Sequence, residues 1–269
     1  MGVCSAASGI GGILFNPVGA YMITLYGWRT TYCIFGMIVL LFVTPILAFL
    51  LRDYPEDKGV TAYGEKDQQK AASISTTGVE YRVAIRMPIF YGMVVFAFLM
   101  ISVSTLNLFI PNYVTGLDYS LEQASFVTSA VMVGVTIGKV ILGMVNDKNS
   151  ALGVAVTAVC GICGSILLLI GQIGIGVVTC GVFLFGWAYA GVTVQTPMLV
   201  RAVFGSKSYT QIYSNISISF AAGGALMAGM WGILADHTNY RFILALGFLF
   251  LIIASSIGIY ALQIAKNRR

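Results

Sequence analysis

One basic side chain lies inside a long apolar segment of this 269-residue sequence. Lys139 lies within the stretch from Thr128 to Lys148, in which almost every residue is apolar or small. A lysine at the centre of a membrane-length apolar helix costs roughly 2.5–3.5 kcal/mol on insertion scales, so such a residue usually has a partner or a task. Its ammonium offers three hydrogen-bond donors and a point charge, which suits the binding of a carboxylate.

Helical spacing places Lys139 on a strip of small and polar residues. The strip comprises Thr128, Met132, Thr136, Lys139, Gly143 and Asn146. Gly134 and Gly138 point elsewhere, and a G-x-x-x-G pair suits close packing on a neighbouring helix. We therefore expect the lysine to face an aqueous cavity and the glycines to face protein. In the alternative interpretation, the amine extends to the membrane surface, since Asp147 lies about 12 Å further along a helix.

Other apolar segments carry polar side chains that a cavity around Lys139 would need. We predict that these side chains and Thr136 hydrogen-bond a substrate, with hydrogen bonding to a neighbouring helix as the alternative. The candidates are Asn107, Tyr113, Tyr189, Gln195, Tyr213 and Asn215. No Asp or Glu lies within an apolar segment, whereas a proton relay needs a carboxylate or histidine there.

The sequence shows no pattern of catalytic or metal-binding residues. Cys160 and Cys163 have the spacing of a metal motif, but no second Cys or His cluster accompanies them. Gly138 and Lys139 resemble part of a phosphate loop, yet the spacing is short by one residue and Val140 replaces the required Ser or Thr. We predict no enzymatic activity, no metal and no cofactor.

Composition identifies the elements that must position these residues. Hydrophobic residues make up 58% of the chain and charged residues 9%. In soluble proteins about 45–50% of residues are apolar and about 25% are charged. The apolar runs fit helices of about 20 residues, so the predicted fold is an all-α polytopic membrane protein. About eight transmembrane helices are expected, at roughly 3–25, 30–51, 88–112, 123–145, 151–172, 174–200, 210–234 and 241–264.

The charged residues indicate how the helices are connected and oriented. The one long connection, from residue 52 to residue 86, is dense in charge and reads as a solvated loop. Twelve of the fifteen Lys and Arg residues lie on the side of this loop, and only Arg29 and Arg241 lie on the other. The positive-inside rule then places the loop and both termini in the cytoplasm. Because the net charge of +5 lies between helices, it does not indicate a nucleic-acid partner.

An internal repeat suggests two helix bundles. Gly11-Gly12, Pro17 and Trp28-Arg29 correspond to Gly223-Gly224, Gly229 and Tyr240-Arg241 at a constant offset of 212. Parallel repeats of this kind are typical of transporters. The second copy forms the fifth and sixth helices of a six-helix group, and we expect four helices to be missing before the first copy. The predicted domains are 1–51 (two helices of an N-terminal bundle), 52–86 (cytoplasmic loop) and 87–269 (a complete C-terminal bundle with a basic tail).

These features resemble the major facilitator superfamily, over the fifth to twelfth of its twelve helices. Gly143-Met-Val-Asn-Asp147-Lys148 is similar to the family's G-x-x-x-D-[RK] loop, and the segment from Gly9 to Gly19 is similar to its Gly/Pro-rich fifth helix. An Asp at a helix end can form a pair that breaks as bundles rock. We therefore expect gating or packing roles for Gly11, Gly12, Pro17, Gly138, Gly143, Asp147 and Lys148.

A narrower resemblance is to the oxalate/formate antiporter and monocarboxylate transporter branch. It depends on Gly138-Lys139-x-x-x-Gly143-x-x-x-Asp147-Lys148, where that branch typically has Arg in place of Lys139, and on the segment from Arg201 to Tyr209. The resemblance implies that Lys139 binds the substrate carboxylate. No second cation lies between Tyr209 and Ala235, which argues against a doubly charged substrate.

The function expected from these features is secondary transport of a small organic anion, a monocarboxylate above all. Transport would proceed by alternating access in the plasma membrane, as symport or exchange, with protons or a counter-anion as the coupled species. The missing helices would be needed for a full cavity within the lipid bilayer. Two alternatives stay open: a truncated, non-transporting membrane protein or interaction scaffold, and a major facilitator transporter for a neutral or other small solute.

Overall fold

The computed structural model describes residues 2–50 and 78–267, nearly all of which are helical. The all-α prediction is confirmed. Seven helices in these residues are long and apolar enough to cross a membrane. The α-helices are α1 (Gly2–Ile38), α2 (Thr44–Leu50), α3 (Tyr81–Ala84), α4 (Pro88–Thr105), α5 (Ile110–Thr115), α6 (Leu121–Lys148), α7 (Ser150–Leu169), α8 (Ile175–Phe204), α9 (Tyr209–His237) and α10 (Tyr240–Asn267).

The candidate membrane helices match the predicted segments closely after residue 87. Six of them begin at or near the predicted starts. The first of these six is Pro88–Thr115 and the last is Tyr240–Asn267. The seventh, Tyr21–Phe49, contains most of the predicted segment 30–51, while the predicted segment 3–25 is helical but is not a separate candidate. Helix α6 begins before its apolar residues with a polar cap, in which the Ser120 hydroxyl accepts a hydrogen bond from the Gln123 amide.

Helix α1 is broken at Gly27, whose φ of 76° and ψ of 161° are not helical. Glycine adopts such a conformation because it has no Cβ to clash with the backbone. The rings of Phe15 and Phe35 lie 5.8 Å apart, although twenty residues of unbroken helix would separate them by about 30 Å. The chain therefore reverses at Gly27 and forms a helical hairpin, as the predicted turn between residues 25 and 30 requires.

By spatial proximity the chain divides into two units, Met1–Ile13 with Gly78–Arg269, and Leu14–Thr77. The first unit contains a bundle of six membrane helices. Helices α4 and α5 together form the first of these, and α6 to α10 form the other five. The second contains the hairpin just described. The predicted domain limits at residues 51 and 86 stay predictions, and most of the intervening loop lies outside the described residues.

Glycines allow the helices of the bundle to approach closely. A Cβ on Gly164 of α7 would lie 2.5 Å from the backbone nitrogen of Phe185, and one on Gly181 of α8 would lie 3.1 Å from the Cβ of Leu167. On the other side of the bundle, a Cβ on Gly223 of α9 would lie 3.2 Å from the backbone oxygen of Phe98. Small residues at crossings are the usual basis of helix association in membranes.

The segment predicted as one helix over 88–112 is interrupted. A 3₁₀ turn, Leu106–Phe109, separates α4 from α5. Pro111 explains the break, because it has no amide hydrogen to donate to the Asn107 carbonyl and its ring would clash there. Trp231 of α9 stabilises this region by donating its indole N–H to the Ser102 carbonyl at 2.9 Å.

Candidate functional site

Lys139 lies in the second half of α6 and is only 5% exposed. Its Nζ donates a hydrogen bond to the hydroxyl of Ser8, on α1, at 2.7 Å. The prediction that Lys139 faces an aqueous cavity is wrong for this conformation, because the side chain is buried. Ser8 was not among the predicted site residues, although its position in a Ser-, Ala- and Gly-rich segment indicates a helix that a neighbour can approach closely.

Beside this hydrogen bond, α1 packs tightly on the lysine strip of α6. A Cβ on Gly9 would overlap the hydroxyl of Thr136, and one on Gly12 would lie 3.0 Å from the sulfur of Met132. The hydroxyl of Thr136 donates to the Met132 carbonyl at 2.8 Å. Thr136 is thus next to Lys139 on a contact surface between two helices, and its predicted role in substrate binding stays a prediction.

The other predicted members of the first Gly-rich segment are less enclosed. A Cβ on Gly11 would meet no atom within 4 Å. Pro17 is exposed inside α1. Of the three residues singled out there, only Gly12 is at a tight helix contact in the described structure.

The glycine face of α6 packs on α8, as predicted. A Cβ on Gly134 would overlap the backbone carbonyl of Phe183, and one on Gly138 would lie 3.1 Å from the Cβ of Ala190 and 3.3 Å from the Cα of Trp187. The prediction that these glycines face protein is confirmed. One helix therefore presents two different surfaces, a glycine surface to α8 and a lysine surface to α1.

Gln195, a predicted substrate contact, forms a reciprocal amide pair with Asn146. The Asn146 Nδ2 donates to the Gln195 Oε1 at 3.0 Å, and the Gln195 Nε2 donates to the Asn146 Oδ1 at 3.1 Å. Both residues are buried, and Gln195 also donates to the Ser150 carbonyl at 3.4 Å. The pair connects α6, α8 and the start of α7, which is the helix-bonding alternative. Asn146 lies on the predicted strip but contacts α8 rather than α1.

Three further candidates also contact neighbouring helical residues. The hydroxyl of Tyr113 donates to the carbonyl of Leu168. The ring of Tyr213 stacks on that of Tyr209, with centroids 5.7 Å apart. Asn215 is exposed and donates to a backbone carbonyl one turn earlier, at 3.0 Å. A contact of any of them with substrate stays a prediction.

Asn107 lies in the 3₁₀ turn between α4 and α5. Its Oδ1 is buried without a hydrogen-bond partner among the described residues. The Trp187 Nε1 and the Thr196 Oγ1, both on α8, share this property. Buried polar atoms usually have partners, so each is a place where water or a ligand would be accommodated favourably. Neither α8 residue was predicted, since an aromatic or a threonine in an apolar helix gives no signal by itself.

The predicted gating residues lie at the end of α6. Asp147 and Lys148 are exposed in its last turn, and Gly143 is half-buried. Asn149 then begins α7 by accepting hydrogen bonds from the Ala151 and Leu152 amides at 2.9 and 3.3 Å. This turn is short and exposed, and its gating role stays a prediction.

The described residues include no group of three or more His, Cys, Asp or Glu side chains that could hold a metal ion. What the arrangement does provide is a buried ammonium that donates to the Ser8 hydroxyl, on a helix surface that also carries the Thr136 hydroxyl against Gly9. Such groups can hold an anion through charge-assisted hydrogen bonds.

Comparison with known proteins identifies the family. A search of curated proteins found no match. The family model described as Major Facilitator Superfamily matches residues 1–204 of the 269. Its match covers most of the helices described above, including Lys139 and the whole glycine face of α6. The chain therefore belongs to the Major Facilitator Superfamily, whose members are secondary transporters of the membrane.

Proposed function

We propose that the protein transports a small organic anion with one carboxylate, and that Lys139 binds this carboxylate. The observation that carries the proposal is the hydrogen bond from the buried Lys139 Nζ to the Ser8 hydroxyl. A buried ammonium is stabilised far more by a carboxylate, since opposite charges at 4 Å attract by about 4 kcal/mol at an effective dielectric of 20.

The position of Ser8 suggests how the site would open. Alternating access requires helices to separate on one side and close on the other around a fixed site. When α1 moves away from α6, Lys139 loses the Ser8 hydroxyl and a carboxylate replaces it. The tight contact of Gly9 with Thr136 supports this arrangement, because only one of the two helices contributes a side chain there, so the surfaces can separate and close again.

The cations that the membrane helices carry support a substrate with a single negative charge. Between Tyr209 and Ala235, α9 contains no Lys or Arg, so no second cation is supplied there for a dicarboxylate. No Asp or Glu lies inside the apolar segments that could carry a proton. We therefore favour exchange of two anions, or symport in which the substrate itself carries the proton.

Uptake into proteoliposomes tests the proposal. We expect accumulation of labelled lactate, formate or pyruvate, and at least about tenfold slower uptake by Lys139→Ala, which corresponds to about 1.4 kcal/mol of lost binding. Lys139→Arg keeps the charge and should retain most of the uptake. The matched control is Lys266→Ala, an exposed lysine in the last turn of α10.

Two results would contradict the proposal. Normal monocarboxylate uptake by Lys139→Ala would exclude the carboxylate-binding role. Uptake of a neutral analogue that is faster than that of every carboxylate would instead favour a transporter of neutral solutes. Oxalate, which carries two carboxylates, should be transported less than the monocarboxylates.

A further inference from the structure

The residues that precede α3 pair with the loop between α8 and α9. Gly78 forms an isolated antiparallel bridge with Gly205, and the amide of Val79 donates to the carbonyl of Phe204 at 2.8 Å. We call residues 78–80 the strap. It is the only β-type pairing in the part of the chain that the structure describes.

An ion pair lies beside this backbone pairing. The Lys207 Nζ is 2.7 Å from the Glu80 Oε1. The hydrogen bond from Lys207, followed by its charge, holds the pKa of Glu80 below the ordinary value for a glutamate, so the carboxyl is ionised at neutral pH. Because both side chains are well exposed, the pair is screened by water and contributes modestly to stability.

Two glycines make the pairing sterically possible. A Cβ on Gly78 would lie 2.8 Å from the Phe204 carbonyl oxygen and 3.0 Å from the Lys207 amide nitrogen. Gly205 has a φ of 79° and a ψ of −162°, a conformation that is essentially restricted to glycine. The strap and the loop are therefore shaped for each other by their backbones, and not only by the ion pair.

The strap is joined to the packed core on both sides. Phe204 is fully buried at the end of α8, and its ring lies 6.4 Å from that of Phe90 on α4. Ala84 of α3, four residues after the strap, is also fully buried. Movement of the strap would thus disturb the ends of two membrane helices.

We propose that the strap is an anchor that fastens the residues before α3 to the end of α8, so that these residues and α8 move together. The central charged segment ends in this strap, while α8 bears the glycine crossing with α6 and the Gln195 amide pair. A pull on the strap would reach the helix that packs behind Lys139. The anchor does not depend on which substrate is carried.

Hydrogen exchange of the purified protein in proteoliposomes tests the anchor without a transport assay. Peptides that contain Val79 should exchange slowly in the wild type. Glu80→Lys or Lys207→Glu should each speed exchange about two- to fivefold, because like charges replace an exposed ion pair. The double variant Glu80→Lys with Lys207→Glu should return to the wild-type rate, and Lys266→Glu should leave it unchanged.

A glycine variant and a cross-link complete the test. Gly205→Ala should speed exchange at Val79 by at least about tenfold, since alanine is strained at that φ and ψ. A short bis-maleimide should join Glu80→Cys to Lys207→Cys in most molecules but should not join Glu80→Cys to Lys266→Cys. Rapid exchange at Val79 in the wild type, no effect of Gly205→Ala, or equal cross-linking of both pairs would overturn the proposal.

Discussion

The two surfaces of α6 differ in how they achieve close contact. Towards α8, α6 itself lacks side chains at Gly134 and Gly138, so the two backbones approach directly. Towards α1, α6 keeps its side chains and the partner lacks them, at Gly9 and Gly12. The first surface adds only an uncharged polar group to its glycines, the Asn146–Gln195 amide pair, whereas the second includes the basic side chain of Lys139.

This difference indicates what each surface is for. In a bilayer there is little hydrophobic drive between helices, so stable association depends on close packing. The α6–α8 crossing satisfies this with reciprocal glycines, since a Cβ on Gly186 of α8 would lie 2.6 Å from the Val131 carbonyl oxygen. The α6–α1 contact combines packing with a polar group whose best partner is an anion. We expect the first contact to be permanent and the second to open.

The largest expected effect is at the permanent contact. Gly134→Leu would force a side chain into the Phe183 carbonyl and should destabilise the protein by about 3 kcal/mol. A lower midpoint of thermal unfolding in detergent, with less monodisperse protein, is the expected result. The matched control is Gly229→Ala on α9, where a Cβ would meet nothing within 4 Å. Equal stability of the two variants would mean that α6 and α8 are not packed as described.

A smaller effect is expected at the contact that opens. Gly9→Ala would place a methyl group against the Thr136 hydroxyl and should cost about 1–2 kcal/mol. Adding Thr136→Ala removes that hydroxyl and should recover part of the loss, which a double-mutant cycle measures by thermal unfolding. Gly11→Ala, which meets no atom within 4 Å, is the control. Strictly additive losses would show that Gly9 and Thr136 do not touch.

The smallest loss of stability is expected at the amide pair between helices α6 and α8. Asn146→Ala should destabilise the protein by about 1 kcal/mol, because hydrogen bonds between membrane helices are worth about 0.6 kcal/mol on average and at most about 1.7. Gln195→Ala added to it should cost little more, since the two amides bond each other. If the second substitution cost as much as the first, the pair would not exist in the bilayer.

The membrane helices and the glycine face could be predicted from sequence because both follow from local patterns. Apolar length defines a membrane helix, and the spacing of Gly134 and Gly138 defines one face of it. Periodicity does not state which neighbour a face meets. Hence Lys139, Thr136 and Asn146 were placed on one strip, yet Asn146 contacts α8 while the others contact α1.

The hydrogen-bond partners of the polar candidate residues could not be predicted from the sequence either. Tyr113 and Gln195 looked equally suited to a substrate or a helix from sequence, and the structure gives each a hydrogen-bond partner in the protein. Trp187 and Thr196 give no signal in the sequence, yet each carries a buried polar atom with no hydrogen-bond partner among the described residues. Whether a polar atom is satisfied depends on atoms from other helices, which no local pattern specifies.

The sequence by itself determined that this is a polytopic α-helical membrane protein, in which Lys139 interrupts the interior of an apolar run. Composition and the length of apolar runs are sufficient for that, because the bilayer admits few ways to satisfy a backbone. Only the tertiary structure decided that Lys139 is buried against Ser8 and that glycines close both sides of its helix. The physical reason is that burial and pairing are properties of two surfaces together. The second surface is distant in the chain, by 131 residues between Ser8 and Lys139 and by 49 between Asn146 and Gln195.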